Sequence, residues 1–138
     1  YVAAKGIIQT AKELLEKNPY EQSLLCDCER LTPKIIADYC NLGDNIAIET
    51  FRRTGYMLGI SLANLAAVID PEAIILSGGI AKAGKWLLDP LEESFADHLF
   101  HNIRDKVKII VSNINSRDRD VLGASALAWE VKEYSLFK

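Results

Sequence analysis

Two adjacent glycines, Gly78 and Gly79, follow a short apolar run at residues 73–76, with Ser77 between the run and the glycines. Open α/β sheets bind ligands at the carboxyl ends of their strands. Because glycine has no side chain, it can adopt a positive φ and let a flat ring or a phosphate approach the main chain. The spacing is neither that of a dinucleotide fingerprint nor that of a phosphate loop. The residues alone therefore leave two interpretations open, a tight structural turn and a ligand contact.

The cysteines and histidines give a weaker chemical signal. Cys26 and Cys28 are spaced as C-x-C, but no second pair at ligand spacing follows them, and His98 and His101 lie far along the chain on a predicted helix. We predict no metal site within this chain and place both histidines at the surface or at an interface. The three cysteines are an odd number, which argues against a secreted disulfide framework and favours a reducing, cytoplasmic compartment.

Size and charge exclude several classes of protein. The 138 residues fit one domain, and the net charge of -3 leaves no basic excess to neutralise the phosphates of a nucleic acid. The longest apolar segment, residues 57–69, is shorter than the roughly 20 residues that span a bilayer. We therefore expect neither nucleic-acid binding through this segment nor a membrane span.

The helices and strands that position the glycines are predicted from the periodicity of the apolar residues and from the residues that end helices. Helices are predicted at residues 2–17, 33–39, 45–69, 85–101 and 120–134, and strands at 73–76 and 107–112. The second half of the long helix is apolar nearly all round, which predicts that it is enclosed. The order of elements after residue 69 predicts an α/β layer with parallel strands. The chain thus divides into a helical part, about 1–69, and a strand-helix-strand-helix part, about 70–138.

The stretch "LGISLANLAAVIDPEAIILSGGIAKAGKWLLDPLEESF", residues 58–95, resembles the C-terminal portion of the ROK family. This family comprises bacterial glucokinases, related sugar kinases and sugar-responsive repressors. The resemblance extends to "LTPKIIADYCNLGDNIAIETF" at 31–51 and "DVLGASALAW" at 120–129. It implies the C-terminal part of an actin-like, ribonuclease-H-like sugar-kinase fold, with helices packed on a short, mainly parallel sheet.

The resemblance also implies a site, because the glycine turn of this fold contacts the adenosine of ATP in the cleft between two lobes. The implied nucleotide contacts here are Ser77, Gly78, Gly79, Ile80 and Gly123. Gly123 and Ala124 would let the last helix pack close to the cleft. The chain departs from the family pattern at Ser77, where many members have glycine, and at Arg119 and Asp120, where small residues are usual.

The activity that the resemblance implies is that of an ATP-dependent hexose kinase, a glucokinase, with Mg2+ bound to ATP. The family's Asp-x-Gly-Gly-Thr phosphate loop, catalytic aspartate, Glu-x-Gly-His sugar motif and Zn2+-binding cysteine cluster are not found in this sequence. We therefore expect the chain to supply part of the nucleotide site, to contain no catalytic residue and to be inactive alone. The alternative is the sugar-sensing domain of a ROK repressor, and nothing in these residues separates the two. Family members form oligomers, so a homo-oligomer is expected.

Overall fold

A computed structural model describes residues 2–101, 106–114, 118 and 121–126. The helices are α1 (Ala4–Lys17), α2 (Pro33–Asn41), α3 (Asn45–Ile69) and α4 (Lys85–His98), and residues 121–126 are also helical. The strands are β1 (Ala73–Leu76) and β2 (Lys108–Val111), and short 3₁₀ helices lie at Leu24–Asp27 and Ile80–Ala83. In the described ranges, no helix combines the length and the apolar character that a membrane crossing requires.

In the helical part, α2 and α3 each begin next to a side chain that caps the helix. Thr32 Oγ1 accepts a hydrogen bond from the Ile35 amide at 3.2 Å, immediately before Pro33 opens α2. Asp44 Oδ1 accepts one from the Ala47 amide at 2.9 Å at the start of α3. Each cap satisfies a backbone donor that the first turn of a helix leaves unpaired. These contacts explain why the starts of α2 and α3 fall at their predicted positions.

Apolar residues from α1, the 3₁₀ helix at Leu24–Asp27, α2, α3 and the start of α4 form one buried core in the helical part. Its members are Ile7, Ala11, Leu14, Leu25, Ile36, Cys40, Ile46, Ala47, Phe51 and Leu87. Because Leu87 belongs to α4, this core also holds the beginning of the helix that follows the glycine turn. The turn is therefore attached to the helical part and does not depend on the sheet alone.

The two strands form a parallel pair, in register from Ala73 opposite Lys108 to Leu76 opposite Val111. Helix α4 connects them and packs along α3. A second buried cluster, made of Ala63, Ala66, Phe95, Leu99 and Val107, lies between these helices and the sheet. The predicted α/β class with parallel pairing is confirmed.

Two predictions about the helices are wrong. The described residues do not enclose the second half of α3: the side chains of Leu65, Val68 and Ile69 are 54%, 84% and 66% exposed. Only α4 and a two-stranded sheet pack against this half in the described residues, and together they cover one face of it. Helix α4 ends at His98, where Leu99 turns to an extended conformation, so His101 lies beyond the helix. Beyond residues 121–126, the predicted last helix, including Trp129, falls outside the described residues.

Candidate functional site

The glycine turn leaves the carboxyl end of β1 and changes direction at Gly78. Gly78 has φ +102°, a conformation that residues with a side chain rarely adopt. Gly79 has φ −66° and ψ −32°, which is ordinary helical geometry for any residue. A 3₁₀ helix, Ile80–Ala83, then leads to Gly84, at φ +61°, and to α4. The backbone therefore requires glycine at residue 78 and does not require it at residue 79.

The space around Gly79 is open within the described part of the chain. A Cβ atom built at this residue would meet no atom within 4 Å. Ser77 and Gly79 are exposed, and Gly78 is partly buried. Neither the backbone conformation of Gly79 nor the packing of its described neighbours explains the missing side chain. This favours the interpretation in which another molecule or segment approaches the main chain.

The side of the turn that faces the protein is held by the helical part. Ile80, Ala83 and Trp86 are partly buried against the helical core, and Ala81 is buried. The Trp86 indole Nε1 donates a hydrogen bond to Asn41 Oδ1 at 2.8 Å, at the end of α2. The Ile80 side chain thus packs inward. Its main chain is the part of this residue that is suited to line an external site.

The remaining predicted site residues lie on a different element. Ser77, Gly78, Gly79 and Ile80 form one continuous turn, whereas Gly123 and Ala124 lie in the helical segment 121–126, beyond β2. Both are exposed there, and a Cβ at Gly123 would meet no atom within 4 Å. Arg119 and Asp120, where the sequence departs from the family pattern, lie outside the described residues.

The cysteines are not part of a metal-binding group in the described residues, and Cys40 is not a reactive thiol. Burial, together with the nearby charge of Asp44, raises the pKa of the Cys40 thiol to about 12, so this thiol stays protonated near neutral pH. Cys28 Sγ shares a hydrogen bond with Tyr39 Oη at 3.2 Å, and this bond raises the pKa of Tyr39. Within the described ranges, no three His, Cys, Asp or Glu side chains are grouped so that they could hold a metal ion.

A buried polar contact that the sequence does not indicate organises the loop between α1 and α2. The Asp44 carboxylate, which caps α3, also accepts hydrogen bonds from Ser23 Oγ at 2.9 Å and from the Leu24 amide at 2.7 Å. Asp44 directly precedes the helix predicted at residues 45–69, and nothing in the sequence indicates that Ser23, 21 positions earlier, would pair with it. This contact fixes the irregular segment over the helical core.

Comparison with known proteins finds one family model and several individual relatives that match most of this chain. The ROK family matches residues 1–131 of the chain. A glucokinase of Halalkalibacterium halodurans is 29% identical over 134 residues, which is 95% of this chain and 39% of the glucokinase. The DNA-binding transcriptional dual regulator NagC of Escherichia coli is 29% identical over 127 residues, 91% of this chain and 30% of the regulator. The chain thus spans well under half the length of these relatives.

A solved structure shares the fold. The ROK family glucokinase of Streptomyces griseus, in complex with glucose and AMPPNP, superposes with a TM-score of 0.71 at 27% identity, covering 80% of this chain and 38% of that glucokinase. The predicted fold class is therefore confirmed as the actin-like fold of ROK kinases. The solved complex contains an ATP analogue, which supports ATP binding in the family.

Proposed function

The chain belongs to the ROK family, and we propose that it is part of an ATP-dependent hexose kinase, a glucokinase, that phosphorylates a sugar hydroxyl. The observation that carries this proposal is the match to glucokinases along almost the whole chain, including a structure that holds glucose and AMPPNP together. The reducing interior of a cell supplies ATP, so we assign the protein to the cytoplasm.

We propose that the glycine turn forms one wall of the adenosine site. Ser77, Gly78 and Gly79 would present main chain to the ligand, Ile80 would fix the turn from beneath, and Gly123 would allow the following helix to lie nearby. ATP supplies the phosphoryl group that is transferred. The residues of this chain bind and orient the nucleotide, and we assign no proton transfer to them. We propose that Mg2+ accompanies ATP in the intact protein, bound chiefly to the phosphates, and we name no metal ligand among the described residues of this chain.

Gly79→Leu tests the site in the intact protein. Residue 79 tolerates a side chain conformationally and sterically, so the variant should fold normally. We expect the Michaelis constant for ATP to rise about tenfold or more, because the new side chain would occupy space that the proposal assigns to the adenosine. The Michaelis constant for glucose should change less than about threefold, because the substitution does not touch the sugar. The measurement is glucose-dependent ADP formation. Ser61→Leu, at an exposed residue of α3, is the matched control. An unchanged constant for ATP in Gly79→Leu would contradict the site.

A second candidate function has its own observation. The similarity to NagC covers 91% of this chain, so a sugar-responsive repressor remains the alternative. The two functions differ in what the intact protein does with ATP and DNA. A kinase forms ADP only when glucose is present, whereas a repressor binds an operator and releases it when a sugar is added. DNA binding without glucose-dependent ADP formation would replace the first proposal by the second.

A further inference from the structure

The first turn of α4 contains a tryptophan, Trp86, whose side chain reaches the end of α2. Its indole Nε1 donates a hydrogen bond to Asn41 Oδ1 at 2.8 Å, and the two residues are 45 positions apart in the sequence. Among the described residues, no other side-chain hydrogen bond joins residues 77–87 to another part of the chain. The bond therefore ties the segment that follows the glycine turn to the helical part.

Two further contacts hold the indole ring in place. The ring is partly buried against the core of the helical part. The Lys85 ammonium lies 4.6 Å from the centre of the ring, a distance at which a cation is attracted to the face of an aromatic ring. The only polar atom of the indole is its N–H, and Asn41 satisfies it. The contacts on its edge and faces together favour one orientation of the Trp86 side chain.

The main chain between β1 and α4 has few other restraints on its direction. Gly78 and Gly84 have φ +102° and +61°, and glycine has more backbone freedom than any other residue. In the described structure, the 3₁₀ helix Ile80–Ala83 forms its backbone hydrogen bonds only within residues 79–84. Its apolar side chains pack on the helical core, but apolar packing is not directional. The hydrogen bond from Trp86 is directional, so it restricts how the segment can rotate on the core.

We propose that Trp86 and Asn41 are positioning residues of the adenosine site, and that their hydrogen bond holds the glycine turn in the orientation that binds ATP. This inference rests on the proposed function, because it concerns the same site. A protein that adopts its binding orientation for only part of the time binds the ligand more weakly in proportion to that fraction. The bond raises this fraction. It acts on the affinity for ATP and not on the sugar or on the phosphoryl transfer that follows binding.

The other role open to this pair is to stabilise the whole fold. Asn41 is exposed, and a hydrogen bond that competes with water contributes little to global stability. The helical core is also built mainly from α1, α2 and α3. The position of the bond, at the junction of the turn segment with that core, favours a local effect on the turn.

Calorimetric titration of the intact protein with AMPPNP, in the presence of Mg2+ and saturating glucose, tests the proposal. Trp86→Phe keeps an aromatic ring on the core and removes the donor, and Asn41→Ala removes the acceptor. Each should weaken AMPPNP binding about three- to fivefold, as expected for the loss of one hydrogen bond. The double variant should bind about as well as the single ones, because both substitutions remove the same bond. Asn41→Asp keeps an acceptor oxygen and should bind within about 1.5-fold of the unaltered protein.

Steady-state kinetics distinguishes positioning from a purely structural role. In Trp86→Phe and Asn41→Ala, the Michaelis constant for ATP should rise by the same factor as the dissociation constant of AMPPNP. The kcat value and the Michaelis constant for glucose should change less than about 1.5-fold. A general loss of folded protein would lower kcat and leave both Michaelis constants unchanged, and that result would overturn the proposal.

Gln9→Ala is the matched control, because it removes an exposed side-chain hydrogen bond on α1, the one to Glu13 at 3.1 Å. It should leave AMPPNP binding unchanged, and circular dichroism checks the helical content of every variant. Fully additive losses in the double variant, or an Asn41→Asp variant as weak as Asn41→Ala, would overturn the proposal. Gly79→Leu separates this inference from the proposed function. If Gly79→Leu weakens AMPPNP binding while Trp86→Phe and Asn41→Ala do not, the site stands and its positioning by this pair is wrong. If Gly79→Leu also has no effect, the site itself is wrong.

Discussion

Two pairs of glycines in this chain occupy different surroundings, and these surroundings give different reasons for the absence of a side chain. Gly55 and Gly59 lie on α3 where α4 crosses it, and Cβ atoms there would come within 2.6 Å of the Leu87 and Leu91 carbonyl oxygens. Gly78 and Gly79 lie at the end of β1, and a Cβ at Gly79 would meet no described atom within 4 Å. The space beside the first pair is filled by the backbone of α4, while Gly79 of the second pair faces space that the described chain does not fill.

The difference separates glycines that serve packing from those that are left for something else. Close helix packing explains Gly55 and Gly59 completely, since two backbones can approach only where no side chain intervenes. A positive φ explains Gly78, but no intramolecular feature in the described residues explains Gly79. A glycine without a structural reason at the end of a strand is therefore the position at which a ligand contact is most worth testing.

The largest loss of stability should come from placing a side chain in the close contact between α3 and α4. Alanine is the better helix former by about 1 kcal/mol, so Gly59→Ala would stabilise α3 if nothing touched it. The new methyl group would instead lie 2.6 Å from the Leu91 carbonyl oxygen and 2.8 Å from the Phe95 nitrogen. Both are backbone atoms of a helix and cannot rotate away. We expect the free energy of unfolding to fall by about 3 kcal/mol.

Urea denaturation of the 138-residue chain measures this loss. Ser61→Ala, an exposed substitution two residues further along α3, is the control and should change the free energy of unfolding by less than about 0.5 kcal/mol. A stabilised Gly59→Ala variant would show that α3 and α4 are not in close contact at this point.

The next largest difference in stability should be that between alanine substitutions at the two glycines of the turn, Gly78 and Gly79. Gly78→Ala must hold an alanine at φ +102°, and we expect it to lose about 1–2 kcal/mol of unfolding free energy. Gly79→Ala keeps ordinary helical angles and meets no described neighbour, so it should be neutral or gain up to about 1 kcal/mol through the reduced freedom of the unfolded chain. The same urea denaturation compares the two variants. Equal losses would mean that residue 79 is structurally constrained, and the reason for assigning it to a ligand would disappear.

Much of this fold could be predicted from the sequence, because local signals determine where elements begin and end. Thr32, Pro33 and Asp44 mark helix starts, and the apolar run at 73–76 is the first strand. Gly55 and Gly59 lie four residues apart on α3, but this spacing alone does not identify α4 as the neighbour that packs against them. What the sequence could not provide depends on contacts between distant residues, such as the pairing of Ser23 with Asp44.

The candidate site was predictable to a similar extent. Its residues and its position after β1 are proposed from the residue types and the family resemblance, but the sequence pattern provides the same reason for glycine at residues 78 and 79. Only the dihedral angles separate them. The exposed end of α3 was predicted wrongly for a related reason: apolar composition indicates that Val68 can be buried, but it does not show what is available to cover it.

The smallest loss of stability should come from removing a charge on the exposed side of α3, the helix that packs closely against α4 at Gly59. The Arg52 guanidinium, and with it that of Arg53, holds the pKa of the Glu49 carboxyl at about 2 instead of its usual 4.5. A carboxylate with a lowered pKa stabilises the folded state above its ordinary pKa, and this contribution is lost as the pH falls from about 4.5 towards 2. Because the arginine side chains are 60% and 43% exposed, water screens the pairs and the contribution should be only about 0.5 kcal/mol.

Glu49→Gln should therefore lower the free energy of unfolding slightly at pH 7, and the difference from the unaltered chain should vanish near pH 2. Urea denaturation at a series of pH values measures it, and 0.5 M salt should reduce the difference at pH 7 because exposed charges are screened over distances of about 4–5 Å at that ionic strength. A loss as large as that of Gly59→Ala would reverse the ranking, because it would mean that surface charges fix α3 as firmly as its contact with α4. A small, salt-sensitive loss would instead show that the packing against α4, and not the surface charges, holds α3 in place.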